Sequence, residues 1–440
     1  MSDDRKLSDP SRSPLPNSAS WSERFARRYQ CALPHALADW LDQELWRSEG
    51  GGEYREPANL EQLLASAPEP IWPGLMCSDF IPLIHNAAGD WLCVRVDQEN
   101  NASQIVQWYH GGGDWIPWGN DLAEALVFDA LIDQISPQSR RHAVPAESPR
   151  LADRSEDPML EWALHHLDDS VRALFYEPAE PSRIVETLLK SHVAEVAVQC
   201  ELVLLALRHP SRETLRDALG SRASEVSHRQ LTEWAFDLDR IPQEYRSDLE
   251  SELGEQLTGQ DWNKAASHAE SAARLSPELA WPWEILGYSA ERSGDIAKAT
   301  AAYRTAMHCS VFTDQSVRFN THWESDHSAK FSVARLASLS PDTLGSDDYF
   351  RQLREPDPAS RRAKITKHWI QSASQALTQE RYRDALDAYL AAGWDIGAEP
   401  ITTFAELLDS ISSAAQGCGQ QARAEVAATH RRCLKQRYGL

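Results

Sequence analysis

The sequence lacks any apolar run near the roughly 20 residues that a membrane-spanning helix needs, so no membrane helix is expected. Its first twenty residues, rich in Ser and Pro, lack the apolar stretch of a signal peptide and read, through residue 29, as a flexible tail. Paired cysteines are missing too. The seven Cys stand at irregular intervals (Cys31, Cys77, Cys93, Cys200, Cys309, Cys418, Cys433) with no CxxC among them. That pattern argues against a disulfide framework or a zinc site and fits reduced thiols in a cytoplasmic chain. Basic residues are short as well, 44 Lys plus Arg against 66 Asp plus Glu, for a formal charge of −22. Phosphate contact requires clustered cations, so neither nucleic acid nor an anionic membrane is an expected partner. No HExxH, GxSxG or locally supported Cys/His dyad occurs. The loop His110-Gly111-Gly112-Gly113-Asp114 has no Lys-Ser/Thr after its glycines and opens no helix, so it is a plain loop rather than a phosphate cradle. No cofactor or metal is expected, and no catalytic residue can be named.

What is present is an uneven charge distribution and two kinds of hydrophobic period. Residues 30–136 hold 17 Asp plus Glu and three basic residues, Arg47, Arg55 and Arg95. Within this stretch Leu33, Leu37, Trp40, Leu41 and Leu45 share one helical face, closed by Gly50-Gly51-Gly52, and Leu60, Leu63 and Leu64 mark a short second helix. The period then shortens. Phe80–Ile84, Trp91–Val96 and Ile105–Tyr109 read as strands, with Asn86-Ala87-Ala88-Gly89 as a turn. Pro82 marks the first strand as an edge strand or an irregular one. Leu122 to Ile135 reads as a closing helix. The layout is an α+β domain, an antiparallel sheet with flanking helices. Residues 137–158 read as a linker. Residues 159–250 read as a helical region whose most apolar stretch is Ile184 to Leu207, and residues 251–440 as all-α helical repeats.

The repeat rests on spacing. Asp261, Ala265 and Ala272 recur as Asp295, Ala299 and Ala306, each 34 residues on. With Trp283, Leu286-Gly287, Gly294 and Tyr303, these positions resemble the tetratricopeptide repeat: small residues where helices cross closely, aromatics filling the gap to the next pair. Trp369, Ala373, Tyr382, Ala385, Tyr389 and Ala392 fit a third copy out of register with the first two, and residues 403–437 fit one more helix pair. Residues 315–360 depart from the pattern.

The α+β stretch resembles the SUKH superfamily, the domain of the Smi/Knr cell-wall regulators. The resemblance rests on Leu33-Pro34, Ile81-Pro82-Leu83-Ile84, Gly89-Asp90-Trp91-Leu92-Cys93-Val94 with Asp97, Ile105-Val106, Trp108, His110 and Trp118-Gly119. It covers about a quarter of the chain. It implies a mixed α/β binding domain without catalytic chemistry; many bacterial members are immunity proteins that neutralise a toxin, and others are interaction modules. The long C-terminal addition departs from single-domain immunity proteins.

The expected function is therefore non-catalytic protein binding, with a basic protein as partner of the acidic domain and toxin immunity as its most concrete form. Opposite charge speeds encounter. Asp97, Glu99, Asp114 and Asp121 lie near loops and strand ends, and Trp108, His110, Trp115 and Trp118 cluster nearby; these eight are the candidate partner-binding residues. The plainer readings are solubility for the acids and core packing for the aromatics. The alternative function is a regulatory or assembly scaffold built on the repeats. An enzyme with a site assembled from distant residues is a third possibility.

Overall fold

The computed structural model describes residues 19–440 except 73, 136–156, 178, 208–209, 255–256, 258–259, 314–327 and 340–345. Most of the expected linker and residues 1–18 of the expected tail lie outside the described residues. The rest of that tail is a helix. In α1 (Trp21–Tyr29), Ser20 caps the start by accepting from the Glu23 amide in a capping box, and Phe25 and Tyr29 are fully buried. Two aromatics four residues apart on one face give this segment an apolar stripe that disordered tails lack.

Helix α2 (His35–Asp42) precedes a five-stranded antiparallel sheet whose strands pair in sequential order, and α3 (Leu60–Leu63) lies between its first two strands. The strands are β1 (Glu56–Pro57), β2 (Phe80–His85), β3 (Trp91–Val96), β4 (Ala102–Trp108) and β5 (Trp115–Gly119). Strand β2 is not an edge: it pairs with both β1 and β3, and the register shifts between Pro82 and Ile84, where the proline's missing donor is absorbed. Consecutive residues of β2, β3 and β5 are nearly all buried. Since neighbours on a strand point to opposite faces, both faces of the sheet are covered. Helix α4 (Leu122–Ile135) packs on β4 and β5, and α8 (Glu195–Leu207), apolar nearly all round, also packs on β5.

The remainder is helical: α5 (Pro158–His165), α6 (Asp169–Tyr176), α7 (Pro181–Lys190), α9 (Arg212–Leu219), α10 (His228–Phe236), α11 (Gln243–Leu253), α12 (Trp262–Leu275), α13 (Ala280–Arg292), α14 (Ile296–His308), α15 (Phe331–Leu339), α16 (Asp348–Leu353), α17 (Pro358–Thr378), α18 (Tyr382–Trp394), α19 (Ile401–Gly417) and α20 (Gln421–Tyr438). No described helix is long and apolar enough to cross a membrane. The 34-residue spacing has a local cause. Asp261 and Asp295 each cap a helix by accepting from the amide three residues on, that of Lys264 and Lys298. Gly287 lets α13 and α14 touch: a Cβ there would lie 2.5 Å from the Tyr303 ring. Helix pairs α13/α14, α17/α18 and α19/α20 pack together, and α12 packs on both α8 and α13. One hydrophobic core runs from Phe25 to Leu434, across the sheet and most of the helices; α9 to α11 enclose a separate small one.

The helices after α14 close on a buried ion pair. The Lys330 ammonium donates to the carbonyls of Met307 and Cys309, each at 2.6 Å, and to Asp395, with 3% of either side chain exposed. Asp395 also accepts from Tyr349 Oη at 2.7 Å and Trp369 Nε1 at 2.9 Å. A cation thus sits on the C-terminal carbonyls of α14, where the helix dipole favours it. Five elements meet at this one group.

Two substitutions test this packing. Gly287→Ala forces the buried Tyr303 ring to shift and is expected to cost about 1–3 kcal/mol in denaturant unfolding. Lys330→Met leaves a carboxylate buried beside uncompensated carbonyls and is expected to cost about 3–5 kcal/mol; a loss below about 1 kcal/mol contradicts the closing role of the pair.

Candidate functional site

The eight residues singled out from the sequence do not form one surface. Trp108, Trp115 and Trp118 are at most 6% exposed and belong to the core. The alternation that puts Trp108 and Tyr109 on opposite faces buries both, because neither face of the sheet is open to water there. Asp97 holds the β3–β4 turn, accepting from the amides of Glu99 and Asn101 at 2.9 and 2.8 Å. Asp121 accepts from the Glu124 amide at the start of α4. Asp114 is buried. Glu99 is exposed. His110 is half exposed, and its Nδ1 lies 2.9 Å from Asp90 Oδ1, which also accepts from the His110 amide. The Gly89-Asp90 turn and His110, twenty residues apart, are thereby brought together.

Both glycine clusters prove to be docking points for the helical region. Gly113, at φ +79°, and Gly397, at φ +84°, flank the ring of Phe312, 3.6 and 3.4 Å from where their side chains would begin. Gly51 donates its amide to Asp157 just before α5, and a side chain on Gly52 would collide with Asp129. The phosphate loop that His110–Asp114 lacks the residues to form is replaced by a seat for one phenylalanine.

A third contact carries most of the charge. Helix α20 holds five basic residues and one acid, and it lies against the acidic domain. Arg423 donates to the Val96 carbonyl at 3.0 Å and approaches Asp79 at 3.5 Å; Arg437 pairs with Glu69 at 2.6 Å. The one acid, Glu425, receives Arg28 of α1 at 2.6 Å and Arg432 at 2.9 Å. Asn100 accepts from the Ala422 amide, and Trp72 packs on His430. The spacings involved, about 320 to 400 residues, leave no local signal; the opposed charge of residues 30–136 and the C-terminal segment is the kind of feature that could have pointed to the pairing.

Between these contacts lies a cleft of about 420 Å³. The sheet domain supplies Ser78, Asp79, Phe80, Arg95 and Trp115, and the helical region supplies Glu278, His308, Leu390 and Trp394. Arg95 spans it: Nε donates to Asp79 at 3.1 Å, Nη1 to Glu278 at 2.9 Å, and the guanidinium lies 4.9 Å from the Trp115 ring centroid. Trp115 meets Phe80 edge to face at 5.4 Å. His308 stacks on Tyr349, and burial, then the nearby Lys330, holds its imidazole below the usual histidine range, so it is neutral near pH 7. A mostly apolar cleft at a domain junction, with a few converging polar groups, is the common form of a ligand site. Among the described residues no group of three or more His, Cys, Asp or Glu side chains could hold a metal ion. No protein-family model, curated protein or solved structure matches the chain.

The α20 seam makes a direct prediction. Arg28→Ala removes five hydrogen bonds from the guanidinium, to Glu425, Thr429 and the carbonyls of Ala65 and Ser66, in a pair whose side chains are 9% and 12% exposed, and should lower stability by about 1–3 kcal/mol. Hydrogen exchange should rise in Trp21–Tyr29 and in Gln421–Tyr438 together. Faster exchange in only one of the two helices would show that they are not coupled through this pair.

Proposed function

We propose that the chain is a non-catalytic protein-binding protein whose acidic α+β domain captures a basic partner. One observation carries the reading: this domain already holds a basic helix, α20, through Asp79, Glu69 and the backbone carbonyls of Ser66 and Val96. Its surface chemistry therefore suits cationic protein segments. Exposed Glu49 and Glu99 have no ion-pair partner among the described residues and present that character to solvent. The resemblance to the SUKH superfamily makes toxin neutralisation the most concrete version, the partner being a basic toxin. Opposite charge then gives rapid capture, and the fixed carboxylates give orientation.

The scaffold reading is favoured by a different observation, the matched Asp261 and Asp295 caps with the close Gly287–Tyr303 crossing, which fit tetratricopeptide-like pairs. Much of the helical region is committed to the chain's own sheet domain at α8, at Val311–Thr313, at Glu278, at Trp394 and along α20. Surfaces left for a scaffold partner lie elsewhere on these helices.

Cross-linking of the full chain in its native lysate distinguishes the two. Capture predicts one basic protein, bound one to one, released as salt rises from about 0.1 M to about 1 M and the screening length falls from about 10 Å to about 3 Å. The double change Glu49→Lys with Glu99→Lys should weaken it at least several-fold. Several partners, cross-linked only to residues 251–440 and indifferent to those charges, would replace capture with the scaffold.

A further inference from the structure

The charges that face the cleft between sheet and helices cancel, and that decides what it holds. We infer that it is a binding site for a small uncharged aromatic amide, a flat ring carrying a carbonyl and an N–H side by side. The inference rests on the cleft alone, so capture of a basic partner at the exposed acidic surface can fail without touching it.

Asp79 is shared by two guanidiniums, Arg95 at 3.1 Å and Arg423 at 3.5 Å, and Glu278 takes another nitrogen of Arg95 at 2.9 Å. Two carboxylates are thus matched by two cations. His308, also on the lining, is neutral near pH 7, as burial and the nearby Lys330 hold its imidazole down. An ionic ligand would give up its hydration here and find no free counter-charge. A neutral ligand avoids that cost, and hydrogen-bonding groups stand open to it. Arg95 bonds through Nε and Nη1, and among the described residues its Nη2 has no acceptor. Ser78 is only 2% exposed and lines the cleft, and its hydroxyl has no partner among the described residues. The Asp79 carboxylate accepts through Oδ2, and its Oδ1 has no donor among them. Donors at Arg95 and Ser78 therefore stand beside an acceptor at Asp79. An amide, which accepts at its carbonyl and donates at its nitrogen, answers both. A buried hydroxyl without a partner is costly, which favours a ligand that supplies one.

The walls fit the ring of such a ligand. Phe80, Trp115, Leu390 and Trp394 supply apolar surface, and aromatic rings favour edge-to-face or offset contact with one another. These rings are held in place by the fold. Phe80 meets Trp115 edge to face, and Trp394 meets Phe404 the same way at 5.5 Å while its indole N–H donates to the Leu75 carbonyl at 3.3 Å. A wall already ordered loses little freedom when a ligand arrives. A volume of about 420 Å³ lies toward the lower end of small-ligand sites and has room for one ring with a short polar group.

Ligand-observed NMR titration of the full-length protein with benzamide, benzamidinium and benzoate tests this, since the three differ in charge and hardly in shape. Benzamide should bind, and each ion at least about ten-fold more weakly. Cyclohexanecarboxamide, the same amide on a saturated ring, should also bind less well than benzamide. Ser78→Ala should weaken benzamide by about two- to ten-fold. Leu390→Trp places a larger side chain at a half-buried wall position and should weaken it by about ten-fold or more. An unfolding midpoint for each variant shows that the fold persists; the charge series on the unaltered chain needs neither. The inference is overturned if benzamide does not bind, if either ion or cyclohexanecarboxamide binds as tightly, or if a folded Leu390→Trp variant keeps full affinity.

Discussion

A sheet with two apolar faces cannot stand in water alone, and most of this structure follows from that constraint. Strands β2, β3 and β5 bury almost every residue. At roughly 25 cal/mol per Å² of apolar surface, leaving one face wet would forfeit a large part of the folding free energy. Helix α4 supplies part of the cover from within the first third of the chain, but α8, the turn at Val311–Thr313 and α20 come from much later segments. The α+β region and the helical region are thus parts of one core. The cleft at Arg95 is the place where their surfaces diverge.

Charge is used differently at the surface and in the interior. Lys330 and Asp395 are buried as a pair with every strong partner supplied: two carbonyls, a phenol and an indole. Such a pair adds little net stability against an apolar substitute, yet breaking it is expensive, so its effect is to fix which helices meet. The α20 seam is half way between. Its ion pairs are partly shielded and so less screened than fully exposed ones, while its carbonyl contacts at Ser66 and Val96 keep the arginines bound without relying on the carboxylates alone. The acidity of the first domain therefore has an internal role before any partner is considered.

How much of this was legible in the sequence depends on distance along the chain. Strands β2, β3 and β4, the turn at Gly89 and helix α4 follow from local period, and the 34-residue spacing follows from two Asp caps. Strand β5 was missed because Trp115-Ile116-Pro117-Trp118-Gly119 carries a proline and follows three glycines, which read as loop. Helix α1 was missed because its basic and polar residues outweigh the pair Phe25 and Tyr29. The tryptophans were placed among interface candidates because alternation shows that a strand has two sides and not what covers each. Arg95 and Glu278, 183 residues apart, carry no local signal at all.

The functional reading turns on the same seam. If the acidic domain evolved only for solubility, its carboxylates should be scattered and uncommitted; instead Glu69 and Asp79 each hold an arginine of α20, and Asp97 and Asp121 hold backbone amides. Among the described residues the carboxylates of this domain left over, Glu49 and Glu99, are few, so a partner could not be held by long-range charge alone once salt screens it. It would need a desolvated anchor as well. The chain already uses such an anchor internally, where Arg95 lies on the Trp115 ring while paired to Asp79 and Glu278, which ties the acidity, the aromatics and the junction of sheet and helices into one physical argument.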